Sequence, residues 1–158
     1  MITLQTELFS FAEEAFELGH SFVNLRNHVN RECGTPWSLI RNLFCTIDYQ
    51  AFVLAVEELK KKVETLRENV DSYAAPPDDA ELEFYRRLRS HVDSLLKATN
   101  LTLRKFRCMA KKAKSARSGP LWQEWQEIVR EEPILMQECE ASGKALTRYY
   151  HQFKTNIF

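Results

Sequence analysis

Glycine and proline are scarce in this chain, with four Gly and five Pro among 158 residues. A sequence so poor in both lacks the turn residues of a small all-β domain and the bias of a low-complexity tract. Net charge is missing too, because 22 Lys and Arg balance 22 Asp and Glu. Bulk attraction to nucleic acid or to an anionic membrane is therefore not encoded, and any electrostatic role falls to local asymmetry. The four cysteines, Cys33, Cys45, Cys108 and Cys139, stand far apart, with no CxxC pair and no His at ligand spacing. Neither a zinc site nor a disulfide framework is indicated, and free thiols in a reducing compartment are expected. No stretch approaches the roughly 18 uncharged residues of a membrane span. Glu7, Glu13 and Glu14 occupy the region where a secretory signal would be basic and then apolar. A soluble, cytoplasmic protein is expected. The chain also lacks a Gly-rich phosphate loop, a GxSxG elbow and an HExxH pair, so no cofactor and no metal is expected.

What the chain does have is helical periodicity. Leu4, Leu8, Phe11, Ala15, Leu18, Phe22, Leu25 and Val29 recur at threes and fours, and Ala12, Phe16, Gly19 and Val23 widen that face. A stripe this wide suits a bundle better than a two-stranded coiled coil. Cys33-Gly34-Thr35-Pro36 stops one helix and starts the next, which carries Phe52, Val56, Leu59, Val63, Leu66, Val70 and Tyr73. Pro76-Pro77-Asp78-Asp79 ends that helix and caps a third, marked by Tyr85, Leu88, Val92, Leu95, Thr99, Leu103 and Phe106. Ser118-Gly119-Pro120 opens the fourth, read on Trp122, Trp125, Val129, Met136, Cys139, Gly143, Leu146, Tyr150 and Phe153. In that helix Glu132 falls where an apolar residue is due and Pro133 follows it, which predicts a kink or a break into two helices. Short connections make neighbours antiparallel. The expectation is one all-α domain over 1–158, an up-down-up-down four-helix bundle with helices near 3–32, 36–74, 78–115 and 120–157.

Three segments could carry chemistry. Glu17 and His20 have the ExxH spacing of di-iron carboxylate bundles, yet no second such pair exists, and a solvated face is the simpler reading. His20, followed by Ser21 and Phe22, is similar to the phosphoacceptor of histidine phosphotransfer bundles, although the Lys-Gly pair that follows it there is absent. Arg86-Arg87-Leu88-Arg89-Ser90-His91 resembles the R-x4-6-H motif of HEPN ribonucleases, which are also small helical bundles. The resemblance implies metal-independent RNA cleavage, with His91 as general acid or base at a dimer groove and Arg86 holding the scissile phosphate. The plainer alternative pairs these arginines with Glu81 and Glu83 one turn back and makes His91 a half-buried edge residue.

From Lys97 to Arg117 the chain has eight basic residues and no acidic one. Arg107, Lys111, Lys112, Lys114 and Arg117 could offer a track for RNA or anionic lipid. However, Glu124, Glu127, Glu131 and Glu132 in the next helix would lie alongside, which favours internal neutralisation. Trp37, Trp122 and Trp125 fall at the same end of the bundle and, with those basic residues, make the expected interaction surface. The leading expectation is a non-enzymatic module for protein–protein interaction or oligomerisation, with another protein or a second copy as partner. The HEPN-like ribonuclease is the alternative, and a membrane-associating or toxin-neutralising bundle a further one.

Overall fold

The computed structural model describes the backbone of residues 2–33, 47–114 and 119–157, and side chains within 6–31, 47–111 and 122–155. It is an antiparallel four-helix bundle: α1 (Ile2–Cys33), α2 (Tyr49–Ser72), α3 (Asp79–Lys114) and α4 (Gly119–Ile157). No strand occurs among the described residues.

Local chemistry sets the helix starts. Asp48 caps α2, its carboxylate accepting from the Ala51 amide at 3.1 Å, and Asp78 caps α3 by accepting from Ala80 and Glu81 at 2.9 and 3.2 Å. Each satisfies amides that have no partner inside the first turn. The helix expected to run unbroken from residue 36 to 74 is thereby corrected. Ile47 and Asp48 are not helical, and α2 begins afresh at Tyr49. The Cys33–Pro36 turn beyond Cys33, the helix start at Trp37 and Ser118 lie outside the described residues.

The 3-4 spacing read from the sequence becomes burial along most of α1, α2 and α3. Leu8, Ala15, Leu18 and Phe22 of α1 meet Leu59, Val63, Leu66 and Val70 of α2, Leu88, Val92 and Leu95 of α3, and Leu146 and Tyr150 of α4 in one core. A second cluster joins Val29, Val53, Val56, Leu103 and Phe106, and a third joins Leu101, Cys108 and Ile128. α3 is the spine: it packs against all three other helices and shares its largest interfaces with α2 and α4. Burial on several sides explains why Phe84, Ala98, Leu101 and Thr102 are buried alongside the expected seam. The inward Thr99 and Thr102 hydroxyls donate back to the carbonyls of Leu95 and Ala98, at 2.7 and 2.9 Å, so their polar atoms are satisfied without a partner helix.

α4 departs from its expected face. Trp122 and Val129 are exposed, 58% and 51%, while Ile128 is fully buried. The seam of its first half is therefore displaced by one residue. α4 is also one continuous helix with Pro133 inside it, so a break into two helices does not form. The proline lacks the amide that would bond the Val129 carbonyl, and both residues lie on the exposed face of the helix. Glu132, the misfit in the apolar pattern, accepts from Lys105 of α3 at 2.8 Å and from Arg26 of α1 at 3.4 Å.

Because Leu88 is fully buried on the spine whereas Leu54 is 57% exposed, Leu88→Ala is expected to lower stability by about 2–5 kcal/mol. Leu54→Ala should change it by less than about 0.5 kcal/mol. Urea unfolding followed by circular dichroism separates the two.

Candidate functional site: a groove between α1 and α4

Of the four sides of the bundle, the one between α1 and α4 is the least closely packed, less so even than the α1–α3 diagonal. The two helices are tied near each end of this side. The Tyr150 hydroxyl donates to Glu13 at 2.7 Å, and Arg26 pairs with Glu132. Between these ties lies a groove of about 700 Å³, floored by His91 and Leu95 of α3 and walled by Phe16, Val23, Met136 and Cys139. From Phe16 to Arg26 it follows about 15 Å of helix. Phe16, Gly19 and Val23, the stripe that widened the apolar face of α1, line this groove instead of being covered by a neighbouring helix.

His91 is the one polar side chain of its floor and is only 5% exposed. Two helix-interior glycines face the imidazole, and the nearer, Gly143, makes the room it needs. A Cβ on Gly143 would stand 3.1 Å from its Cε1, and one on Gly19 3.9 Å from its Nε2. Nδ1 lies 3.0 Å from the Ser142 hydroxyl, whose single proton is given to the Cys139 carbonyl at 2.9 Å. Ser142 must then accept, so Nδ1 carries the ring proton and Nε2 keeps a bare lone pair. Burial lowers the His91 pKa to about 4, which makes the ring neutral at physiological pH. Burial likewise pushes the Cys139 thiol up to about 11, with Arg26 opposing. The thiol stays protonated and the serine proton is committed elsewhere, so neither side chain is prepared as a nucleophile. Above the groove the rim carries His20, Arg26, Lys144 and Arg148, with Glu140 paired to Lys144.

The other predicted residues are distributed differently. Arg86 is exposed. Five residues along a helix turn the side chain by about 140°, so Arg86 and His91 occupy different faces and are not brought together. His91 is buried inside the bundle and is not a half-buried edge residue. Of its neighbours, Arg87 pairs with Glu83 at 2.8 Å, as the spacing implies, and Arg89 reaches Asp71 of α2 at 2.8 Å. In the basic stretch Arg104 pairs with Glu127 and Glu131 at 3.6 and 3.5 Å, and Lys105 with Glu132. Helix-to-helix neutralisation is thus present, although Arg107 turns to Glu57 of α2 at 2.7 Å. Lys111 is exposed. Trp125 is half-buried against the Leu101, Cys108 and Ile128 cluster, which leaves Trp122 as the exposed tryptophan of the described pair. Trp37, Arg117 and the side chains of Lys112 and Lys114 lie outside the described residues. Among the described residues no three His, Cys, Asp or Glu side chains are grouped to hold a metal ion, and no helix is long and apolar enough to cross a membrane.

Among the described residues, fold and site together define an all-α bundle whose α1–α4 side is open and largely apolar. No protein-family model, curated protein or solved structure matches this chain.

Two outcomes follow from the His91 packing. Gly19→Ala adds a methyl at ordinary contact distance and should stabilise by up to about 1 kcal/mol through helix propensity. Gly143→Ala forces the ring to move and should fail to stabilise, in the same thermal-melting series. The second outcome concerns pH. His91 is harder to protonate folded than unfolded, where its pKa is about 6.5, so the unfolded chain binds more protons between the two values. Stability conferred by the neutral ring is complete above about pH 6.5 and declines as pH falls toward about 4. The expected loss across that window is about 3 kcal/mol. His91→Gln should flatten this part of the stability–pH curve.

Proposed function

We propose that this chain is a non-enzymatic helical interaction module that takes its partner in the α1–α4 groove. The observation that supports this most is the groove itself. An apolar channel some three turns long, with one inward polar acceptor and a basic rim, has the composition of a recognition site. Helical bundles elsewhere accept an amphipathic segment in such a channel through a few buried anchors. The side chains at its base favour binding over chemistry, since the thiol is protonated and the serine proton is engaged. The rim adds a favourable field for acidic residues beside such an anchor, because Arg148 is exposed and forms no ion pair among the described residues.

Selection of ligands from a random peptide library on the purified protein tests this. Val23→Glu places a charge at the half-exposed lip of the groove and is expected to weaken the selected peptides by about tenfold or more. Trp122→Ala, at the other exposed aromatic site, should leave their affinity unchanged. Peptides that bind Val23→Glu as tightly as the parent chain would place recognition elsewhere.

A further inference from the structure

The floor of the groove specifies more than an apolar occupant. Nε2 of His91 belongs to a side chain that is 5% exposed, lines the groove and bonds the protein through its other nitrogen. Resting on the groove being the binding site, we propose that its occupant is a Trp or Tyr side chain of a partner protein, whose indole N–H or phenol O–H donates to His91 Nε2.

Each alternative anchor meets a physical objection. Leu, Met or Phe would expel water from Nε2 and offer no donor, leaving a buried acceptor unpaired. Lys or Arg would bring a cation beside Arg26 and Arg148 into an apolar channel. Ser and Thr carry a donor but little apolar surface to bury. Trp and Tyr combine a large apolar ring with one donor, the pairing that makes them frequent anchors at interfaces. The walls suit a flat ring. Gly19 and Gly143 present no side chain at the level of the imidazole, Phe16 offers an aromatic neighbour, and Met136 and Cys139 offer sulfur.

The experiment is an NMR titration of the full, 15N-labelled chain with four probes: p-cresol and toluene, which mimic Tyr and Phe, and indole and 1-methylindole. Expected are shifts at the Gly19, Cys139 and Gly143 amides and a change in the His91 Nε2 resonance with p-cresol and indole alone. After correction for water–octanol partition, the donor of each pair should bind about three- to tenfold more tightly, the effect of one neutral hydrogen bond. His91→Leu should abolish that preference, and the Nε2 resonance reads the same contact without any substitution. If both members of each pair shift the groove amides equally and leave Nε2 unmoved, the His91 contact is overturned and the groove stands as the site. If no probe moves the groove amides, both are overturned.

Discussion

A neutral imidazole is lodged between two helix backbones, and the α1–α4 side of the bundle is arranged around it. His91 projects from α3 toward the side where α1 and α4 should close on each other. Its ring reaches that space because Gly143 carries no side chain there, and Ser142 fixes it through Nδ1. Gly143 costs about 1 kcal/mol of helix propensity relative to Ala, and a Cβ there would stand 3.1 Å from the ring, so the histidine sets the residue at that position.

The remaining contacts position this opening. α3 holds α1, α2 and α4 through the continuous core of Leu88, Val92 and Leu95 with their neighbours. Polar ties then fix the ends of the α1–α4 side. The Tyr150–Glu13 bond closes one end and the Arg26–Glu132–Lys105 cluster the other. Glu132 is half-buried and serves both cations, so its place in an otherwise apolar pattern is explained by the three helices it joins. Exposed ion pairs contribute little to stability, but partly buried ones with fixed partners set which helix faces meet. Lys105 does the same along α3, and with the more exposed pairs of Arg104 and Arg107 the largest block of like charge in the sequence is in part neutralised by neighbouring helices.

Most of the fold was legible because helical periodicity, caps and Pro-Gly punctuation act locally. The Leu8-to-Val29 stripe, the Val56-to-Val70 stripe and the Asp78 cap needed no tertiary information. The start of α2 was misread because Asp48 caps it within an apolar stretch that looked continuous, and a polar cap two residues after Cys45-Thr46 leaves little trace in a hydrophobic pattern. The face of α4 was misread where Trp122 and Val129 kept the period without finding a neighbour to bury them. The groove could not be read at all in that way. Gly19, Met136, Cys139 and Gly143 resemble core positions, and a periodicity argument assumes that every apolar stripe is covered. Gly143 inside a long helix was the available signal, since it costs helix stability and marks a close approach. His91 was singled out for its spacing from Arg86, whereas its surroundings are set by residues more than 50 positions away, Ser142 among them.

The chemistry of the groove's occupant depends on which nitrogen of His91 carries the proton. A bare Nε2 makes the groove floor an acceptor, and a protonated Nε2 would make it a donor and invert the chemistry of its occupant. The 15N side-chain spectrum of His91 at neutral pH reports this directly. A neutral ring protonated at Nδ1 and bare at Nε2, charging only near pH 4, is the predicted result. A ring protonated at Nε2, or one that charges near its ordinary value of about 6.5, would contradict it.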